Sequence, residues 1–384
     1  MNETQKLFEI LEDLTPEFIQ VWQDIVNIES PTDYKEGVDR VGEYLVNFAK
    51  REGFQTEVFS QSVAGNPVCI TMNADKDQTA ITLSAHADTV HPLSNSKKPV
   101  ARIENDTIFG PGVCDCKGGI VASLMTMKAL KEIGFNKRPI QFILQTDEET
   151  GSATSNRETI NYIIEKAKNS IAFLNCESTR GNSAVLWRRG ICRYYFTVTG
   201  ESAHASRCAE RGASAILEAA HKIIELEKMK DPNALTCNCG IINGGNAPNT
   251  VPDKCSFVAE IRFDTNEQWA EGEKTVKEIC ERSFIKGTHS EFKKVPAHPA
   301  MQKEERNFLL LEKMNEIYKK CSLPILTARQ SLGGSDAAFI TCAGIPCVDS
   351  VAVDGDFIHT PREYARVSSL LEAAKRLSAV CLYL

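Results

Sequence analysis

No stretch of this 384-residue chain approaches the ~18 consecutive apolar residues of a membrane-spanning helix. Its first residues, MNETQKLFEI, carry acids where a secretory leader has an uninterrupted apolar core and a small-residue cleavage site. Neither membrane insertion nor secretion is expected. Basic charge is also scarce: 44 Lys and Arg stand against 51 Asp and Glu, the net charge is -7, and no dense basic patch stands out. Binding a nucleic-acid polyanion needs such a patch, so a small or peptide-like partner is expected instead. The 14 cysteines follow no regular framework and include no Cys-x-x-Cys pair, which argues against a zinc ribbon and against the usual dithiol redox site. Reduced thiols and a cytoplasmic location are the expectation. The Walker spacing GxxxxGK[ST], internal repeats and low-complexity tracts are absent too.

What is present is a chain too long for one hydrophobic core, so two domains are expected, the larger of α/β type. Residues 16–29 and 36–51 read as amphipathic helices, followed by strand-length apolar runs at Val68–Asn73 and Ala80–Ala85. Gly118–Gly134 reads as a nearly all-apolar helix, Pro139–Thr146 as a buried strand, Asn156–Lys168 as a helix and Ile171–Asn175 as a strand. This alternation predicts a helix-covered, mixed but mainly parallel sheet. From about Trp187 the pattern restarts as strand, helix, strand, strand, helix over Arg193–Gly200, Ala213–Met229, Leu235–Asn243, Lys254–Asp264 and Glu267–Ile285. An inserted α+β domain over 188–297 is expected, splitting the first domain into 1–187 and 298–384. The chain returns through a helix at Glu304–Lys320 and ends in one at Ser368–Leu384.

The chemistry is concentrated in SAHADTV (84–90), GPGVCDCKGG (110–119), TDEETGS (146–152), NCEST (175–179) and DFIHTP (356–361). A two-metal site needs roughly five nitrogen and oxygen ligands, one of them shared, and an unbound carboxylate to handle protons. His86, Asp115, Glu149, Glu177 and His359 could supply the ligands and Glu148 the sixth group. In His86-x-Asp88 one imidazole nitrogen can bind metal while the carboxylate two residues on fixes the other N–H. The glycines around Asp115 permit a tight turn from which one carboxylate could reach two ions. Asp147-Glu148-Glu149 places like charges directly after an apolar strand, which is unfavourable unless cations compensate them. Strand alternation would send Glu148 and Glu149 to opposite faces, so both reach one site only if the strand breaks there. His86, Glu148, Glu149 and Glu177 all follow predicted strands, and open α/β sheets bind ligands beyond the carboxyl ends of their strands. His359 lies beside a proline turn, which suits a preorganised ligand. Taken singly, each has a plain structural reading as a cap, a turn or a solvated acid; the set carries the argument. Among the other histidines, His221 and His289 read as structural, whereas His204 in GESAHAS is flanked by small residues that leave its imidazole accessible to a ligand.

In this order and over essentially the whole chain, the five segments resemble one family: the co-catalytic zinc metallopeptidases of clan MH, which include carboxypeptidase G, aminoacylase-1, acetylornithine deacetylase and succinyl-diaminopimelate desuccinylase. The resemblance implies two Zn2+ ions, with Co2+ as a substitute. His86 and Glu177 would hold one ion, Glu149 and His359 the other, and Asp115 would bridge them. Glu148 would be the general base and Asp88 would orient His86. The resemblance also implies a discontinuous catalytic domain and an inserted α+β lid that mediates homodimerisation. A lid histidine, here His204, would sit near the reacting carbonyl, and Asn249 and Arg262, in GGNAPNTVPDKCSFVAEIR, would bind a substrate carboxylate.

The segment SLGGSDAAFITCAGIP is most similar to the glutamate carboxypeptidase branch, whose glycines offer backbone N–H groups to a carboxylate; Gly333 and Gly334 match. That branch tends to carry Arg before Pro-Ala, where this chain has His298-Pro299-Ala300, a departure that bears on glutamate preference. Cys116 stands where relatives often carry Asp or Met. Glu177, rather than Asp, resembles the carboxypeptidase and deacylase members more than the aminopeptidases. The implied activity is cleavage of an amide bond next to a free carboxylate, as a C-terminal exopeptidase of carboxypeptidase G type. An N-acyl amino acid deacylase of acetylornithine deacetylase or aminoacylase type is the alternative, and the residues do not separate the two. Aminopeptidase, dipeptidase and a catalytically silent metal-binding protein rank lower.

Overall fold

A computed structural model describes residues 2–94, 100–231 and 234–384. Two compact units emerge: Met1–Trp187, Lys303–Gln330 and Ser335–Leu384 form the first, and Arg188–Gln302 with Ser331–Gly334 the second.

The first unit is built on an eight-stranded sheet in the order Gln55–Val58, Val68–Met72, Ile140–Gln145, Ile81–His86, Ala172–Asn175, Cys347–Asp349, Ser183–Arg188, Thr327–Ser331. Its middle run, from Ile140–Gln145 to Cys347–Asp349, is parallel, and the pairs flanking that run are antiparallel. Parallel strands are covered on both faces and so read as continuous apolar runs; every residue of Ile81–His86 is buried. The helix Lys117–Glu132 packs between Glu3–Val26 and Ser369–Tyr383 and is buried along most of its length, which is why its sequence shows no polar face.

The first helix begins at Glu3, not near residue 16. Asn2 and Gln5 form a capping box that fixes its start. Pro16, a residue favoured in the first turn, lies inside the helix, where its missing N–H is offset by burial of Leu7, Leu11, Phe18 and Trp22 on one face. The sequence reading also lacks a small sheet of Arg102–Glu104, Thr107–Phe109, Gly355–Asp356 and Tyr364–Arg366. Its strands are only two or three residues long, below what periodicity can register.

The second unit is an antiparallel sheet ordered Thr236–Gly244, Lys254–Phe263, Gly190–Thr199, His289–His298. Helices Ala215–Glu227 and Asn266–Glu281 pack against it around Phe196, Phe257, Ile261, Ala219 and Val276. Its fourth strand, HSEFKKVPAH, is polar and carries a proline, which the edge position tolerates. This strand moves the expected division at 297/298 to Gln302/Lys303, because Met301 continues the pairing and exchanges main-chain bonds with Arg188 at 2.9 and 3.1 Å. Ser331–Gly334 joins the same unit through Arg188, whose Nη1 donates to the carbonyls of Gly333 and Gly334 at 3.2 and 2.9 Å. A buried ion pair, Glu218 and Lys222 at 3.0 Å, closes the turn after Asn266–Glu281: Lys222 donates to the carbonyls of Ile279, Cys280 and Arg282, and Glu218 accepts the amides of Phe284 and Ile285. Among the described residues no helix is long and apolar enough to cross a membrane.

Candidate active site

Three neighbouring strand ends and two loops supply the site. His86 is the last residue of its strand, Glu177 lies two residues past Ala172–Asn175, and Glu148 and Glu149 follow Ile140–Gln145. Asp115 lies in the glycine-rich loop before Lys117–Glu132, and His359 lies between the short strands Gly355–Asp356 and Tyr364–Arg366. All belong to the first unit.

The two oxygens of Asp115 face different imidazoles. Oδ1 is 3.0 Å from His86 Nε2, which is also 3.5 Å from Glu177 Oε1. Oδ2 is 3.1 Å from His359 Nε2, which is also 3.1 Å from Glu149 Oε2. Two adjacent positions result, an inner one among His86, Glu177 and Asp115, and an outer one among His359, Glu149 and Asp115. His86 is 1% exposed and His359 51%.

The irregularity needed at the acidic run is a one-turn 3-10 helix, Glu148–Thr150, which replaces strand alternation at that point. Asp88 makes the turn: its Oδ1 accepts the Glu148 amide at 3.1 Å and its Oδ2 accepts the Glu149 amide at 3.2 Å and the Thr32 hydroxyl at 2.8 Å. A carboxylate satisfying the free amides at a helix start is favourable. The partner of His86 differs in detail from the expectation. Nδ1 lies 2.9 Å from the main-chain carbonyl of Asp88 and 3.4 Å from its carboxylate, because the carboxylate is committed to the turn. A carbonyl can only accept, so Nδ1 carries a proton, and Nε2 is the nitrogen that would give up its own to present a lone pair to a metal. Asp147 points away, accepting from Ser155 N and Thr159 Oγ1.

Electrostatics set this cluster apart. Burial, reinforced by Glu149, Asp115 and Asp88 and opposed by His86, pushes Glu148 up to about 8. Burial likewise raises Glu149 and Glu177. Burial works against the Asp115 carboxylate, but hydrogen bonds from His359 and His86 hold it below the usual carboxylate range. Hydrogen bonds to Asp115 and Glu149 lift His359 to about 10. Burial disfavours the His86 cation, yet Glu177 and the other neighbouring acidic groups keep its pKa well above the usual value. Acids crowded around the two imidazoles call for added positive charge, and the imidazole and carboxylate donors suit divalent ions of the zinc type. The residues fit such a metal: the donor atoms of His86, Asp115 and Glu149 lie close enough together to hold an ion, as do those of His86, Cys116 and Glu177.

The remaining expected residues all lie in the second unit. His204 ends a two-residue strand opposite Thr250, and Asn249 is drawn beside it by the bond from Ala205 N to its carbonyl at 2.9 Å. His204 Nδ1 accepts the Ser206 amide at 3.3 Å, which leaves Nε2–H as the donor. Arg262 directs Nε and Nη2 at Glu260 Oε1, 2.9 and 2.8 Å away, and Nη1 at the Leu332 carbonyl. Glu260 also accepts from Arg193 at 2.9 Å, so two guanidiniums share one carboxylate and the trio stays cationic. Gly334 cannot be replaced without displacement, since a Cβ there would fall 2.4 Å from the His298 ring. Arg188, which orders this glycine pair, escaped the sequence reading, as did Thr32 and Glu363 around the candidate ligands. The one local signal for Glu363 is its place four residues past His359 in HTPRE.

The model of peptidase family M20/M25/M40 matches residues 82–383. The chain belongs to that family. Members of M20/M25/M40 to which it is similar include carboxypeptidase G2 of Pseudomonas sp. (strain RS-16), 29% identical over 372 residues, covering 95% of this chain and 88% of that one. Acetylornithine deacetylase of Myxococcus xanthus is 28% identical over 228 residues, 56% of this chain and 57% of that one. Among solved structures, a tripeptidase from Staphylococcus aureus subsp. aureus Mu50 superposes with a TM-score of 0.78 at 23% identity, covering 96% and 97% of the two chains, a likeness of fold. The protein is thus a hydrolase of the M20 metallopeptidase and amidohydrolase kind, as its motifs implied.

Proposed function

We propose that the protein is a cytoplasmic di-zinc exopeptidase of carboxypeptidase G type, which cleaves an amide bond next to a free carboxylate in small peptides. The observation that carries this reading is the Asp115 carboxylate, with one oxygen toward each imidazole and the buried Glu148 beside it. Ions held by His86 and Glu177, by Glu149 and His359, and jointly by Asp115 would supply Lewis acidity and make water more acidic.

The chain's own groups do the rest. Ionised by the positive charge such ions would bring, Glu148 takes a proton from the attacking water, whose oxygen forms the new bond to the carbonyl carbon. As the C–N bond breaks, Glu148 passes that proton to the leaving amine, a role worth about 10²–10⁴ in rate. Asp88 holds the Glu148 turn and the His86 tautomer. His204, through Nε2–H, donates to the oxyanion. Arg262 and Asn249, with the N–H groups of Gly333 and Gly334, receive the substrate carboxylate, and the surplus charge of the Arg193, Arg262 and Glu260 trio favours that role.

A second reading, N-acyl amino acid deacylase, is supported by the likeness to acetylornithine deacetylase. Assays of peptides ending in Glu or Ala, N-acetyl amino acids, N-acetylornithine and N-succinyl-diaminopimelate, each with Zn2+ or Co2+, separate the two. Preferential cleavage of the peptides supports the exopeptidase, and cleavage confined to the acyl amino acids overturns it. Bound metal without hydrolysis of any substrate identifies a silent metal-binding protein. A homodimer through the second unit is part of the proposal, favoured by the edge strand Thr236–Gly244, which exposes Ile241 and Ile242. Light scattering at the mass of one chain overturns it.

A further inference from the structure

The loop that carries Asp115 contains Gly110 and Gly112, with Gly112 at φ +73°, and has little local preference for one shape. Something distant must hold it. Glu363, only 3% exposed, gathers three of its main-chain amides: Gly112 N donates to Oε2 at 2.9 Å, and Cys114 N and Asp115 N donate to Oε1 at 2.9 and 3.0 Å. His91 Nε2 lies 2.9 Å from Oε2 and completes the set. Hydrogen bonds to an ionised acceptor are about twice as strong as neutral ones.

Glu363 is equally tied to the other side of the outer position. Its own amide donates to the Thr360 carbonyl at 3.1 Å, closing the turn Thr360–Glu363 that directly follows His359. The strand after it pairs Tyr364 with Phe109 and Ala365 with Ile108, immediately before the Asp115 loop. One residue, through its carboxylate and its main-chain amide, therefore ties the loop of Asp115 to the segment that follows His359, and these two ligands meet at 3.1 Å. His359 needs such support, because it holds φ +62°, a left-handed conformation that costs a non-glycine residue about 1–2 kcal/mol. The inner ligand His86 is secured independently, opposite Gln145 at the end of a strand that is paired on both sides up to Ser84.

We infer that Glu363 is a positioning residue that sets the metal affinity of the outer position, by holding Asp115 so that its second oxygen faces His359 and Glu149. This rests on the two-metal reading above.

The test is metal titration of the full chain after chelator treatment, by calorimetry with Zn2+ and by the absorption spectrum with Co2+, for the wild type, Glu363→Gln and Glu363→Asp. Gln keeps the volume but sets an NH2 group against amide donors; Asp keeps the carboxylate but withdraws it by one methylene. Wild type should take up two equivalents. Glu363→Gln should bind the first normally and the second about 10–100-fold more weakly, with an altered Co2+ spectrum for the second alone, and kcat should recover as metal is raised while KM stays constant. Glu363→Asp should fall between the two. Unchanged affinity for both equivalents in Glu363→Gln would overturn the assignment, and so would equal weakening of both, the mark of a general structural role. A wild type that binds fewer than two equivalents would instead overturn the two-metal reading itself, and with it this inference.

Discussion

Glu148→Gln isolates proton transfer from metal binding. The two side chains have nearly the same volume, and the bond that anchors the turn comes from the Glu148 main chain to Asp88, so the substitution leaves the turn intact. The proposed metal positions are defined by the short contacts of Asp115, Glu149 and Glu177 with the two imidazoles, which the substitution leaves in place, so both ions should remain. Removing one acid from a crowded, buried group also relieves repulsion, and no loss of fold is expected. What disappears is the only group assigned to carry the proton from water to the leaving amine. General acid–base catalysis is worth about 10²–10⁴, so kcat should fall by about that factor, a rise of roughly 3–5 kcal/mol in the barrier, with KM nearly constant. The assay is steady-state hydrolysis of the best peptide or acyl substrate, alongside metal content measured by atomic emission. Turnover within tenfold of wild type, with two metals bound, would refute the assignment of the base. Loss of metal would refute the claim that Glu148 stands outside the ligand set.

Asp115→Ala should abolish binding of both metals, because one oxygen serves each position, whereas His359→Ala should lose one; equal stoichiometry in the two variants would contradict the bridging geometry. Arg262→Ala should raise KM for carboxylate-bearing substrates about 10–100-fold, the loss of a charged hydrogen bond, and barely change it for their amides, and equal effects would remove Arg262 from recognition. In the second unit, burial works against the Glu218 carboxylate, but Lys222 and the amides of Ile285 and Phe284 hold it below its usual range. A depressed folded-state pKa stabilises fully above the unfolded value, about 4.3, and that stability is lost as pH falls through the folded value. Glu218→Gln should cost about 3–5 kcal/mol at neutral pH by leaving Lys222 buried without its partner, and should flatten the acid limb of urea-denaturation midpoints; parallel limbs for variant and wild type would refute the coupling.

The candidate ligands were legible because their chemistry is local. A histidine or acid just past an apolar strand announces the carboxyl rim of a parallel sheet, and His86, Glu149 and Glu177 follow that rule. The start of the first helix was not legible, since Pro16 imitates a first turn and only the cap at Asn2 and the buried face of the helix show otherwise. The strand His289–His298 was missed because its polarity resembles a loop, and its neighbour Gly190–Thr199 supplies the pairing that makes it a strand.

The sequence by itself determined the alternation of strands and helices, the inserted second pattern, and the residue types able to hold two cations and move a proton. Tertiary structure alone decided that Asp115 turns one oxygen to each imidazole, that Asp88 spends its carboxylate on the Glu148 turn and its carbonyl on His86, and that Glu363 holds the Asp115 loop. The physical reason is range. Periodicity and side-chain chemistry are properties of a few consecutive residues, whereas the bond from the Asp115 amide to Glu363 joins positions 248 residues apart and exists only once the sheet and its helices have closed around it.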